Sequence, residues 1–150
     1  MPTKFTLVAG SAEGKTKLTA FDKALLSAGV GNMNLLKVSS ILPPGVDYQP
    51  KALVQPGAPL LIAYSFVISD QIGGLISAAV AVGISFKEEY GVIMEFSGAC
   101  SKEEAERVAL EMVKEAFEAR NMPLNEILVK GIDHKVERIG CVFAGVPLWS

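Results

Sequence analysis

The sequence predicts an α+β domain built in layers, and three observations carry that reading. The order of patterns is strand, helix, a long block of strands, helix and two closing strands, unlike the strict alternation of an open parallel nucleotide-binding sheet. Ile76, Ala78, Val80, Val82 and Ile84 alternate with Ser77, Ala79, Ala81 and Gly83, a period of two that puts bulk on one face and very small residues on the other. Ala105, Val108, Ala109, Met112, Val113, Ala116 and Phe117 form one apolar stripe at helical spacing.

Taken in order, Phe5 to Ala9 is a short apolar run that ends at Gly10-Ser11 and reads as a strand. Thr19-Ala-Phe-Asp22 opens a predicted helix with Thr19 as N-cap and Asp22 as the acid of a capping box; Phe21, Ala24, Leu25 and Ala28 share its face. Gly29 and Gly31 end it. Asn34 to Ser39 is the next strand, stopped by Pro43-Pro44-Gly45. Leu60 to Ser97 reads as strands whose small-residue face, Ser77 to Gly83, suits close contact with another layer. Ser101-Lys-Glu-Glu104 is a capping box for the second helix, which ends near Asn121, and strands follow over Glu126 to Ile132 and Gly140 to Leu148.

Composition closes several functional classes. With 14 Lys plus Arg against 16 Asp plus Glu, the 150-residue chain has no basic field for nucleic acid or an anionic membrane surface. Its apolar runs are too short for a membrane span, and its first residues lack a secretory core, so a cytoplasmic protein is expected. Cys100 and Cys141 stand far apart and His134 is the one histidine, too few ligands in too loose a spacing for a metal cluster, so both cysteines read as reduced and structural. Half the residues are apolar and only 20% are charged, which for one small domain points to an oligomer that covers part of this surface.

Two segments invite chemistry. Gly10 to Thr16, GSAEGKT, resembles the end of a phosphate-binding loop, but only three residues separate Gly10 from Gly14 where such loops need four, which argues against nucleotide binding. Lys37 to Gly45, KVSSILPPG, places a Ser-Ser pair at the end of an apolar strand. There it is either a strand end with turn-forming serines or a self-cleavage site at which Ser40 Oγ attacks the carbonyl carbon of Ser39.

Phe21 to Pro44, FDKALLSAGVGNMNLLKVSSILPP, resembles the signature of pyruvoyl-dependent arginine decarboxylases. The likeness extends to VAGSAEG near the start, to Gly91-Val-Ile-Met-Glu95, to the Ser101 to Arg120 helix and to Gly140-Cys-Val-Phe-Ala144. It implies a layered αββα sandwich of the pyruvoyl-dependent histidine/arginine decarboxylase kind, one domain made of two chains. Self-cleavage between Ser39 and Ser40 would give residues 1–39 and 40–150 and leave a covalent pyruvoyl group on residue 40. That ketone condenses with the α-amine of L-arginine to a Schiff base and accepts the electrons released as carbon dioxide leaves, giving agmatine. The family also implies homotrimers with sites shared between subunits.

The resemblance further assigns roles residue by residue. Glu95, between Met94 and Phe96 in an apolar strand, would return the proton to the α-carbon; without the family it is equally a solvent-facing acid on an edge strand. Asp22 would bind the guanidinium with its two oxygens, or serve only as the capping acid. Asn34 would assist cleavage by hydrogen-bonding the Ser39 carbonyl, or is a turn residue before a strand. Leu25, Gly31 and Ser39 would line the substrate site, Leu25 and Gly31 being otherwise core and turn. Two other readings stay open: the same machinery acting on another amino acid such as histidine, and an uncleaved, non-catalytic oligomeric binding protein.

Overall fold

The computed structural model describes all 150 residues, Met1 to Ser150. The elements run β1 (Lys4–Phe5), β2 (Val8–Glu13), α1 (Lys17–Ala28), β3 (Asn34–Lys37), β4 (Ile41–Leu42), β5 (Asp47–Tyr48) and β6 (Pro59–Ser69). They continue with β7 (Leu75–Ile84), β8 (Gly91–Gly98), α2 (Lys102–Ala119), β9 (Glu126–Lys135) and β10 (Gly140–Trp149).

Strand β10 is buried along its whole length and organises the first sheet. It pairs antiparallel with β6 on one side, and on the other with β2 through its first half and β1 through its second. Parallel pairings add β3 to β6 and β5 to β1 at the two edges, giving six strands. The second sheet, β4-β8-β7-β9, is antiparallel throughout.

Three apolar clusters glue four layers together. Between the sheets, Val80, Val82 and Ile93 meet Val142, Ala144 and Val146. Outside the first sheet, α1 packs Ala20, Ala24, Leu25 and Ala28 against Ile62, Cys141 and Phe143. Outside the second, α2 packs Ala105, Ala109, Val113 and Phe117 against Ala79, Ala81 and Val92. The layer order α1, sheet, sheet, α2 agrees with the expected αββα sandwich. The alternation in β7 is read out directly: its bulky face fills the space between the sheets and its small face receives α2. A side chain at Gly83 would run into Val113 and Phe117, so close approach of the helix requires glycine there.

Several local expectations need correction. Helix α1 begins at Lys17, not beyond Thr19: Thr16 is the N-cap, its Oγ1 accepting from Thr19 N–H at 3.1 Å while Thr16 N–H donates to Thr19 Oγ1 at 3.0 Å. A hydroxyl at the third helical position replaces the expected carboxylate, and Asp22, in the second turn, takes no part in the cap. The C-terminus does end as expected, at Gly29 with φ of 85°, its N–H reaching back to Leu25 and Leu26. In α2 only half of the predicted box forms: Ser101 Oγ accepts from Glu104 N–H, but the Glu104 carboxylate turns to Arg107.

Strand β2 continues through Gly10-Ser11 to Glu13, because β10 offers backbone partners as far as Gly140. The GSAEGKT segment is therefore half strand and half helix cap, with no loop to wrap a phosphate. Strand β3 stops at Lys37, two residues before its predicted end, and β4 and β5 are two-residue strands that only their neighbours in space define.

Glu13 does structural work at the end of β2. Its Oε1 accepts from Arg138 and Ile139 N–H at 2.8 and 3.0 Å, and its Oε2 accepts from Glu137 N–H at 3.1 Å and meets His134 Nε2 at 2.6 Å. One carboxylate thus ties the first sheet to β9 and to the turn before β10. Burial pushes its pKa up, but the His134 hydrogen bond, the backbone donors and the His134 charge outweigh it and hold the value at about 2. A depressed carboxylate stabilises the fold above its unfolded pKa and loses that contribution as pH falls toward the folded value. Glu13→Gln is therefore expected to lower stability by about 2–3 kcal/mol at neutral pH. In denaturant titrations the gap to wild type should narrow between pH 5 and pH 2.

Candidate active site

The Ser39–Ser40 bond lies where the chain leaves one sheet for the other. Before it, β3 is held in the first sheet by β6, with Val38 N–H donating to Ile62 O at 3.0 Å. After it, β4 is held in the second sheet, Ile41 opposite Val92 and Leu42 opposite Gly91. The Ser40 carbonyl accepts from Ile93 N–H at 2.8 Å. Ser39 is exposed and Ser40 half-buried. Each side of the bond is anchored by its own sheet, so the peptide between them can be cut without dividing any strand.

Glu95 follows Ile93 by two residues on β8 and so shares its face. Val92, Met94 and Phe96 point to α2, while Ile93 points between the sheets. Ser97, next on the Glu95 face, donates from Oγ to Phe66 O at 3.1 Å and accepts from Ser65 Oγ at 2.7 Å, both on β6. Glu95 is thus directed between the sheets, not outward from an edge strand: β8 is flanked by β7 and, over its first two residues, by β4. No hydrogen-bond donor is aimed at its half-buried carboxylate. Burial pushes its pKa up, and the Lys37 charge pulls partly against that rise.

Lys37 carries the cation nearest this cleft and stands over the Tyr64 ring, Nζ 4.7 Å from its centroid. β3 covers the β6 edge only from Pro59 to Ile62, so from Ala63 onward that edge is open beside Ser39, Ser40 and Glu95. Leu36, Ile41 and Phe66 are exposed around it. None of the sizeable cavities of the single chain is lined by Ser39, Ser40, Glu95 or Asp22.

The remaining expected site residues lie elsewhere in the chain. Asp22 is exposed on α1 and makes no hydrogen bond or ion pair. Leu25 is buried in the α1 cluster, and Gly31 is small because Leu26 occupies the space a side chain would need. Asn34 donates from Nδ2 to Gly57 O at 2.9 Å and from its N–H to Ala58 O. Strand β3 lies between it and Ser39 and its side chain is engaged by Gly57, so the hydrogen bond expected to the Ser39 carbonyl is not made within one chain. Lys37 and the Ser65–Ser97 pair, which the structure brings to the Glu95 side, are not among the residues the sequence singles out; the position of Lys37 directly before Val38-Ser39-Ser40 is the one available signal.

The cysteines take no part. Cys141 is buried among the α1 cluster, and burial pushes its thiol up to about 12; Cys100 is half-buried with its Sγ 3.1 Å from Ser77 Oγ. No helix is long and apolar enough to cross a membrane.

Residues 4–147 match the family model described as pyruvoyl-dependent arginine decarboxylase. The chain is 47% identical over 150 residues to the pyruvoyl-dependent arginine decarboxylase of Methanocaldococcus jannaschii, covering 99% of this chain and 91% of the relative. It is 48% identical over 128 residues to that of Thermococcus sibiricus, covering 83% and 80%, and 40% identical over 149 residues to that of Methanococcus maripaludis strain C6, covering 99% and 91%.

Because burial raises the Glu95 pKa and Lys37 opposes that rise, a carboxyl-carbon NMR titration should place Glu95 above the ordinary carboxylate range. Lys37→Met should move it higher still.

Proposed function

The chain belongs to the pyruvoyl-dependent arginine decarboxylase family, and from that premise we propose that it converts L-arginine to agmatine and carbon dioxide after cutting itself between Ser39 and Ser40. The observation that carries this reading is the crossover: a Ser-Ser bond with both flanks anchored, one in each sheet, and a half-buried carboxylic acid two residues beyond the amide that binds the Ser40 carbonyl.

Ser40 supplies the nucleophile for the proposed cleavage. Ser40 Oγ attacks the Ser39 carbonyl carbon, the C–N bond breaks, and the acyl group moves from nitrogen to oxygen as an ester. Loss of the Cα proton of residue 40 expels the Ser39 carboxylate and leaves a dehydroalanine. Its enamine form tautomerises and takes up water, ammonia departs, and residue 40 becomes a pyruvoyl group. Residues 1–39 keep β1, β2, α1 and β3, and residues 40–150 keep the rest, the two chains remaining one fold through β10 and β6.

The pyruvoyl group supplies an electron sink for the carbon dioxide-releasing step. Glu95, whose pKa burial raises, delivers a proton to the substrate α-carbon. The Lys37 charge opposes that rise. Asp22, free of any cap or ion pair, offers both oxygens to a guanidinium, with Leu25, Gly31 and Ser39 shaping the substrate space. A neighbouring subunit closes the open β6 edge, where Leu36, Ile41 and Phe66 are exposed, and a homotrimer provides such a neighbour for every site. Asn34 then acts on the Ser39 carbonyl across the subunit boundary. The product is a polyamine precursor, and the enzyme works in the cytoplasm.

Ser40→Ala should migrate as one uncut chain on a denaturing gel where wild type gives two; an uncut wild type without a pyruvoyl end in its intact mass would overturn the reading. Glu95→Gln should still be cut but release carbon dioxide from arginine at least 100-fold more slowly, the scale of a lost general acid. Asp22→Asn should raise KM for arginine with little change in thermal stability, and an unchanged KM would remove it from the site.

A further inference from the structure

Apolar side chains fill the space between the sheets, yet on the side where β3 lies each of the two facing strands turns one hydroxyl into it. On β6 the alternation that points Ala63 and Val67 inward points Ser65 inward between them. On β8 the alternation that points Ile93 inward does the same for Glu95 and Ser97. β6 lies over β8, and the two serines meet: Ser65 Oγ donates to Ser97 Oγ at 2.7 Å, and Ser97 Oγ donates onward to Phe66 O at 3.1 Å. Both serines are partly buried.

Phe66 O lies on the edge that β3 leaves open. The Ile62 carbonyl accepts from Val38 N–H on β3, and at a period of two the Phe66 carbonyl is turned to the same edge, beyond the last residue that β3 covers. A carbonyl on an open edge must find a partner, and Ser97 of the other sheet supplies it. At the far edge of the sandwich Glu13 and His134 tie β2 to β9. The Ser65–Ser97 bridge is the corresponding tie on the side of Glu95.

We propose that the Ser65–Ser97 bridge holds β8 against β6 at the separation that keeps Glu95 between the sheets, and that Ser97 is a positioning residue for that acid. Ser97 is one step of the alternation from Glu95, so the bond that fixes Ser97 fixes the stretch of strand that carries the carboxyl. β4 and the Ser40 carbonyl hold β8 only as far as Ile93, and beyond that β7 is its one strand partner. Without the bridge the outer side of β8 swings from β6 and water reaches the carboxyl. Burial raises the Glu95 pKa, and Lys37 is the charge that acts on it; the inward residues around it, Val80 on β7 and Ala63, Ser65 and Val67 on β6, do not titrate. The consequence for proton delivery rests on the decarboxylase reading, whereas the control of the Glu95 surroundings does not.

The test compares Ser97→Ala, Ser65→Ala and Ser97→Thr with wild type, each as the full protein. Glu95 is titrated by carboxyl-carbon NMR without substrate, and carbon dioxide release from arginine is measured separately. Ser97→Ala removes both bonds and should bring the Glu95 titration down toward the ordinary carboxylate range. Its Ser39–Ser40 bond should still be cut, with kcat lower by roughly tenfold and KM within about twofold of wild type. Ser65→Ala leaves the Ser97 bond to Phe66 O in place and should move both readouts in the same direction by less. Ser97→Thr keeps the hydroxyl and should match wild type in both. An unchanged Glu95 titration in Ser97→Ala, even with a lower melting temperature, reduces the bridge to a structural tie and overturns the proposal, as does a larger effect of Ser65→Ala than of Ser97→Ala. Should Ser97→Ala fail to fold, Ser65→Ala decides, a lowered titration supporting the proposal and an unchanged one overturning it. A wild type that releases no carbon dioxide overturns the decarboxylase reading, and the Glu95 titration still decides what the bridge does.

Discussion

Everything in this molecule depends on two sheets being pressed face to face by apolar burial. Val80, Val82 and Ile93 from one sheet and Val142, Ala144 and Val146 from the other leave no room for solvent between them. A chain that contributes strands to both sheets must cross from one to the other somewhere, and it does so at Val38-Ser39-Ser40. The packing that drives folding therefore also isolates one peptide bond between two anchored strands. It places Glu95 beside that crossover as well, because the face of β8 that carries Ile93 into the core carries Glu95 two residues later.

Glu13 and Glu95 show how the same side chain is set to opposite purposes by its surroundings. Glu13 is met by three backbone N–H groups and an imidazole, and its charged form is held so firmly that it serves as a rivet between the sheets. Glu95 is half-buried without donors, and burial raises its pKa against the pull of the Lys37 charge. The difference lies in what each strand faces, since both residues sit on β-strands of ordinary sequence.

The legible parts of the sequence were those governed by local period and local caps. The small and large faces of β7, the apolar stripe of α2 and the Gly29 stop could be read because each depends on side chains within one or two turns of one another. The α1 start was misread because Thr19 can serve either as an N-cap or as the third residue of a box opened by Thr16, and nothing local to Thr19-Ala-Phe-Asp22 decides between them. Strands β4 and β5 were invisible because two residues carry no period. The extension of β2 past Gly10 depended on β10, more than a hundred residues away.

By itself, the sequence determined the layered α+β class, through residue type and period, and the family, through a likeness that spans nearly the whole chain; that likeness is also what singled out Ser39, Ser40, Glu95 and Asp22 as candidates. Tertiary structure alone decided that the Ser-Ser bond spans two sheets, that the Lys37 charge acts on Glu95, and that Asp22 is released from capping. It also decided that Asn34 is kept the length of a strand from Ser39. The physical reason is that charge, burial and reach depend on distances through space, and in this fold those distances are set by which strands pair across the two sheets.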